Sequence, residues 1–343
     1  MRALLYERFG GPVEVADVPE PVAADGGVVV RVAASGLCRS DWHAWAGHDA
    51  DIRLPHVPGH EFAGVVASVG TGVTSVRVGD RVTAPFVNGC GVCEFCRAGD
   101  AQVCPAQTQP GFSHWGSHAE LVAVRAADTN VVHLPDDLSM EAAASLGCRF
   151  ATAYRAVVGR ARARPGEWVA VHGVGGVGLS AVMVAVAEGA RVVAVDRSQG
   201  ALDLARRLGA EHAVLAGGDT AERVVELTGG GAHVGIDAVG AAGTVVTAIG
   251  SLRRRGRHVQ VGLLTGATTE VPLARVLSWE IDVLGSHGMS AADYPRMLDL
   301  VTRGVLRPAE LVSRTVGLEE AAALLPESAA ATPTGITVLH PEE

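Results

Sequence analysis

Short β-branched apolar runs, each closed by Gly or Pro, dominate the first part of the chain. Gly27–Val32, Ala63–Val69 and Asp80–Thr83 are too short for helices and rich in Val, which suits half-buried strands. Long helical periods are missing, so residues 1 to about 147 read as mostly β. From about residue 150 the rhythm changes to alternating strands and helices. Strands are expected at Glu167–His172, Arg191–Asp196, Ala213–Leu215, Val234–Ala238, Arg257–Val261 and Asp282–Gly285. Helices are expected between them at Leu179–Glu188, Gly200–Leu208, Thr220–Thr228 and Ala242–Leu252. That alternation predicts a parallel sheet with right-handed crossovers. Residues 287–343 offer one helix around Ala292–Thr302 and a last strand, Gly335–Leu339, and are expected to rejoin the first domain. The expected class is α/β: a mostly-β domain over 1–149, a doubly wound parallel-sheet domain over 150–286, and a return segment. No internal repeat or low-complexity linker interrupts this order.

Composition narrows the function. The chain has 343 residues, 48% hydrophobic and 19% charged, which is enough for two separate cores. A net charge of −9 gives no general attraction for nucleic acid or an anionic membrane. Every basic residue is an arginine, which excludes a lysine general base or Schiff base. The start, Met1-Arg-Ala-Leu-Leu-Tyr-Glu-Arg8, lacks the apolar stretch of a signal peptide. Clustered cysteines without an export signal point to metal ligation in the cytoplasm rather than to disulfides. The uncharged stretch Trp168–Ala187 approaches a membrane span in length, but Gly173, Gly175, Gly176 and Gly178 break it into strand, turn and helix.

Those glycines form Gly173-Val174-Gly175-Gly176-Val177-Gly178, a G-x-G-x-x-G between a predicted strand and helix. The first glycine allows a tight turn, the second a close backbone approach to a pyrophosphate, the third close helix packing. The helix N-terminus then faces the phosphate charge. Asp196 ends the next strand, where an acid bonds the adenosine ribose hydroxyls and repels a 2′-phosphate. NAD is therefore expected over NADP, with Arg197 beside the acid as a possible moderator.

Two cysteine groups carry the remaining chemistry. Cys90, Cys93, Cys96 and Cys104 form a C-x2-C-x2-C-x7-C lobe suited to a closed tetrahedral zinc site. Bacterial iron–sulfur clusters share the first spacing but place three residues before the last cysteine, not seven. The lobe is not basic, which disfavours a DNA-binding module. Its expected role is to staple a loop, over 88–105, with little core of its own. Cys38, His60 and Cys148 are distant in sequence, and each alone reads as ordinary packing. Together they match a known catalytic zinc set, two thiolates and one imidazole with an open fourth position. The run Arg253-Arg-Arg-Gly-Arg257 reads as a solvated turn rather than a phosphate site. His48, His56, His114, His118, His172 and His258 lack metal spacing, and His172 is expected to pack at a strand end.

The Pro58-Gly-His-Glu-Phe62 segment, the four-cysteine lobe, the glycine fingerprint and Cys38-Arg-Ser-Asp-Trp-His43 fall in one familiar order. Over essentially its full length the chain resembles the zinc-dependent alcohol dehydrogenases of the medium-chain dehydrogenase/reductase superfamily. The resemblance implies a GroES-like catalytic domain, a Rossmann domain, NAD as cofactor and two zinc ions per chain. It assigns Cys38, His60 and Cys148 to the catalytic zinc and the lobe cysteines to the structural one. Asp41 would orient His60, Glu61 would be an acid beside the zinc, and Ser40 and His43 would relay a proton through the cofactor ribose. Arg39 would touch the pyrophosphate and Thr152 would lie behind the nicotinamide, with Gly262 and Leu263 also near cofactor. Trp42, Trp45, Phe86 and Leu263 are candidate pocket walls.

The implied reaction interconverts a small alcohol with its aldehyde or ketone. Cys148 separates the chain from polyol and threonine branches, which tend to carry Glu there, although a polyol or amino-alcohol dehydrogenase stays the alternative. A non-catalytic nucleotide-binding relative is the second alternative. The string His43-Ala-Trp-Ala-Gly47 resembles the tetrameric bacterial and yeast type, so a homotetramer is expected over a dimer. No nucleic acid or membrane partner is expected.

Overall fold

A computed structural model of the protein describes residues 1–264, 266, 268–328 and 334–342. The chain divides into two compact units, residues 1–151 with 288–343, and residues 152–287. In chain order the strands are β1 (Arg2–Leu5), β2 (Glu14–Asp17), β3 (Val28–Leu37), β4 (Phe62–Val69), β5 (Arg81–Thr83), β6 (Leu121–Val124) and β7 (Val132–His133). The second unit supplies β8 (Trp168–His172), β9 (Arg191–Asp196), β10 (His212–Leu215), β11 (Ala232–Asp237), β12 (Leu252–Gln260) and β13 (Asp282–Gly285). The returning segment adds β14 (Val312–Gly317) and β15 (Ile336–His340).

In the first unit a seven-stranded sheet runs β14-β15-β3-β4-β5-β7, with β6 also paired to β3. Val28, Val30 and Val32 of β3 turn inward beside Phe62, Val66, Val82 and Val122, while Arg31 between them stays exposed. Full burial of each such side chain contributes about 1.5–3 kcal/mol. β15 lies antiparallel to the last residues of β3, pairing Thr337 with Leu37 and Leu339 with Ser35. The end of the chain thereby braces the strand that leads into Cys38.

The second unit is an all-parallel sheet in the order β10-β9-β8-β11-β12-β13. This is the Rossmann order, which reverses direction between β8 and β11, and ligands of such sheets bind beyond the carboxyl ends at that reversal. Both faces are covered, so β8 is buried along its whole length. The helix Gly176–Ala187 is buried on most sides, which accounts for its uninterrupted apolar sequence. No described helix is long and apolar enough to cross a membrane.

Several expectations need correction. The first part of the chain is mostly β, as expected, with short helices added. It holds the helix Arg39–Trp45 and enters a helical run at Met140. The helix expected to reach Leu252 stops at Gly250, because Leu252 pairs with Ala232 and opens β12. The arginine run is therefore not a turn between elements but an excursion inside β12. The helix near 292 begins at Tyr294, with Pro295 in its first turn and a 3-10 turn before it. Weak periodicity concealed the helices Leu273–Trp279 and Leu318–Glu327.

Candidate metal centres and dinucleotide turn

Cys38 follows β3 directly, and His60 and Glu61 directly precede β4. The Gly36 N–H donates to the Glu61 carbonyl at 2.8 Å, and the Ser35 hydroxyl donates to the same oxygen at 3.1 Å. These bonds tie the two strand ends together and so bring Cys38 to His60. A Cβ on Gly36 would lie 2.3 Å from a Glu61 carboxylate oxygen, so only glycine fits. Cys148 comes from a π-helical turn, Leu146–Phe150, a rare geometry that recurs at functional sites. Ligand atoms of Cys38, His60, Glu61 and Cys148 lie within 4.8 Å of one another.

Asp41, fully buried, organises this group. Its Oδ1 accepts from His60 Nδ1 at 2.8 Å and from the Gly59 N–H at 3.2 Å, while Oδ2 accepts from the Cys38 N–H at 2.8 Å. Burial alone would raise its pKa, but the His60 and His118 charges outweigh that and hold the carboxyl well below its usual range. With Nδ1 committed, His60 presents Nε2, which is buried without a hydrogen-bond partner and faces the Cys38 sulfur. An orphaned buried nitrogen beside two thiols fits a set of metal ligands. A hydrogen bond from Cys148, aided by the Arg149 and His60 charges against the cost of burial, pulls Cys38 well below the ordinary thiol value. The same bond pushes Cys148 up.

Glu61 faces this group but is held by Arg149. The Arg149 backbone N–H donates to Oε1 at 2.7 Å, its Nε reaches the two oxygens at 3.0 and 2.8 Å, and Nη2 bonds Oε2. Ser40 Oγ lies 3.8 Å from Cys38 Sγ. His43 is half-buried, with Nδ1 3.0 Å from His48 Nδ1. Burial first, then the His48 and Arg39 charges, lower its pKa. Arg39 is exposed at the first turn of its helix. The Phe86 ring meets His60 edge-on at 6.0 Å, and Phe112 approaches it at 5.2 Å. Trp42 packs against His43 and His48. Trp45 instead donates its indole N–H to the Gly11 carbonyl at 2.8 Å and packs against the cluster of Tyr6, Ala44, Ile52 and Phe112.

In the second cluster the ligand atoms of Cys90, Cys93, Cys96 and Cys104 also lie within 4.8 Å of one another. A tetrahedron with Zn–S near 2.3 Å has S–S edges of about 3.8 Å, and Cys93 Sγ is 3.7 Å from Cys104 Sγ. Backbone N–H groups of Val92 and Cys93 bring Cys90 down to about 6, toward the thiolate a metal needs. The lobe helix Glu94–Arg97 buries no side chain, and Val92, Phe95 and Val103 are exposed.

In the second unit the glycine turn follows β8. Gly173 has φ +84°, and a Cβ on Gly178 would lie 1.8 Å from the Gly173 carbonyl oxygen. Gly175 begins the helix Gly176–Ala187 with no side-chain cap, leaving its first N–H groups for a ligand. The Asp196 carboxylate accepts from the Val174 N–H at 2.8 Å and from the Ser198 N–H at 2.8 Å, with exposed Arg197 beside it. The loops after β11 and β12 touch here too. A Cβ on Gly262 would lie 2.2 Å from the Gly240 nitrogen, and Leu263 is 66% exposed. Thr152 is buried, and its Oγ1 has no partner among the described residues. His172 packs at the strand end as expected, 3.3 Å from Ser251 Oγ.

Sequence reasoning missed the supporting residues. Arg149 gave one signal, a charge directly beside a candidate ligand. His118 gave none, yet it sits fully buried with Nδ1 2.9 Å from Ser35 Oγ and Nε2 3.6 Å from Asp41.

Residues 24–136 match the alcohol dehydrogenase GroES-like domain family, and residues 176–303 match the zinc-binding dehydrogenase family. An alcohol dehydrogenase of Geobacillus stearothermophilus is 37% identical over 311 residues, 90% of each chain. A solved structure of an NAD-dependent alcohol dehydrogenase superposes with TM-score 0.89 at 34% identity, over 99% of this chain and 100% of the other. The alcohol dehydrogenase of the hyperthermophilic archaeon Aeropyrum pernix gives TM-score 0.90 at 33% identity, over 99% and 100%. With a GroES-like unit carrying both cysteine clusters and a Rossmann unit carrying the glycine turn, the chain belongs to the zinc-type alcohol dehydrogenases of the medium-chain dehydrogenase/reductase superfamily.

Proposed function

We propose that the protein is an NAD-dependent alcohol dehydrogenase holding two zinc ions, one at Cys38, His60 and Cys148 and one at the four-cysteine lobe. The observation that carries this reading is His60 Nε2, buried, oriented by Asp41 and without a partner beside two cysteines. When bound, zinc supplies Lewis acidity toward an alcohol or carbonyl oxygen, and the nicotinamide supplies the hydride acceptor or donor. Cys38 and Cys148, as thiolates, balance the metal charge while leaving a position open to substrate. Asp41 fixes the His60 tautomer. Glu61 is an acid beside the metal group whose charge is offset by its Arg149 partner. Ser40, next to Cys38, would accept the substrate's hydroxyl proton as it passes its own on through the cofactor ribose to His43, which would release one to water. Phe86 and Phe112 keep the His60 ring in an apolar setting. In the Rossmann unit the uncapped helix start receives a pyrophosphate, and the Asp196 carboxylate favours ribose hydroxyls over a 2′-phosphate.

Aromatic neighbours of His60 favour a medium-chain or aryl alcohol. A cytoplasmic homotetramer belongs to the same reading, and sedimentation velocity tests the assembly. The function is tested by following absorbance of the reduced cofactor with primary, secondary and aryl alcohols, sorbitol and threonine, each with NAD and NADP. Turnover on simple alcohols with NAD preferred supports the proposal. Turnover confined to sorbitol or threonine would transfer the protein to the polyol or amino-alcohol branch.

A further inference from the structure

The arginine run in β12 has no part in the chemistry above. On β11 the pairing advances two residues, Ala232 to Val234, while on β12 it advances five, Leu252 to Arg257. The surplus residues leave the ladder as a bulge, and Arg255 within it takes φ +59°. A left-handed backbone at a long side chain is an uncommon expense, and bulges of this kind re-aim side chains. This one aims arginines at a surface dent of about 380 Å3 lined by Arg164, Glu167, His233, Arg253, Arg254, Arg255 and Arg257. Five arginines thus line it beside one carboxylate, in a chain whose net charge is −9; of these, Arg255 lies 3.8 Å from exposed Glu280, and Arg254 leans over Trp279 and donates to the Ser278 carbonyl. That carboxylate is already engaged: Glu167 Oε2 accepts from Arg257 at 2.6 Å and from the Arg164 N–H at 3.0 Å.

A second observation concerns hydrogen-bond direction. His233 Nδ1 accepts the Trp168 N–H at 3.0 Å, so in the neutral ring Nε2 must carry the proton. Burial, then the Arg253 charge, lower the pKa of His233 and keep the ring neutral. Yet Arg253 Nη1, also a donor, lies 2.8 Å from that Nε2. Two donors thus converge on one exposed point at the dent, with no acceptor between them among the described residues.

We propose that Arg164, Arg253 and Arg255, with the His233 Nε2–H, form a binding site for a compact oligophosphate, while Arg257 is held by Glu167 and the Ala161 and Arg162 carbonyls. Guanidinium forks match phosphate oxygens in pairs, and a chain of two or three phosphates spans several of them. The site lies at the amino-terminal ends of β8 and β11, while the glycine turn follows the carboxyl end of β8. It is therefore separate from the dinucleotide turn and does not depend on the proposed activity. The ligand is an inorganic oligophosphate or the phosphate tail of a nucleotide.

Isothermal titration of the full-length, zinc-loaded protein tests this, with NADH present to cover the glycine turn. The probes are orthophosphate, pyrophosphate, tripolyphosphate and ATP. Affinity should rise at least tenfold from orthophosphate to tripolyphosphate and fall with added salt. Arg253→Ser with Arg255→Ser should weaken tripolyphosphate at least tenfold, leaving kcat and the melting profile unchanged. Equal affinity for ATP and tripolyphosphate would identify the phosphate chain as the whole determinant. Tighter ATP binding that is lost in the same variant would identify a nucleotide site. Absence of binding in the unaltered protein, or equal binding by the double variant, overturns the proposal.

Discussion

Individual side chains decide whether the metal group is catalytic or merely buried. Asp41→Asn would keep the size of the side chain but remove the charge that sets the His60 tautomer. Zinc affinity at that site should fall about 10–100-fold, measured by competition with a chromogenic chelator. Unchanged affinity would mean that Asp41 does not position His60. Arg149→Met tests the clamp on Glu61, since stripping one partner from a buried ion pair costs about 3–5 kcal/mol. The loss should appear in denaturant unfolding, and adding Glu61→Gln should recover most of it. The ligand candidates were legible in the sequence because cysteine and histidine are chemically selective. Arg149 showed only as a charge beside a candidate ligand and His118 not at all, because a buried polar contact reveals itself only once its partner is in place. His118 meets Asp41 across the fold, at a separation no sequence spacing announces.

Among the elements, the Rossmann strands were the easiest to read. Strands buried on both faces are continuous Val-rich runs, and the glycine turn marks where β8 ends. The β12 excursion was illegible, because arginines in a bulge and arginines in a turn have the same composition. β8 also contains a test of pH dependence. Burial, then the His258 charge, lower His172 to about 4. The unfolded chain protonates this imidazole near its ordinary value of 6.5, while the folded chain resists until about 4. The unfolded state therefore binds more protons in that window, and stability falls as pH drops through it. The loss from this residue is on the order of 3 kcal/mol. Chemical unfolding between pH 7 and 4 should show a shallower slope in His172→Gln, and identical slopes would remove His172 as the cause.

For the whole chain, connectivity separates the two units. Residues 152–287 are contiguous and hold a complete parallel sheet, whereas the first unit needs β14 and β15 from beyond residue 288. A fragment of 152–287 should unfold cooperatively, while 1–151 alone should not, because the end of β3 has lost β15. Calorimetry of the two fragments checks this. The central claim is that the chain carries two zinc sites of different kind, and zinc content per chain by mass spectrometry tests it most directly. About two zinc ions are expected in the unaltered protein and about one in Cys148→Ala, which should retain its fold but lose NAD-linked turnover. Two zinc ions and full turnover in Cys148→Ala would contradict the account.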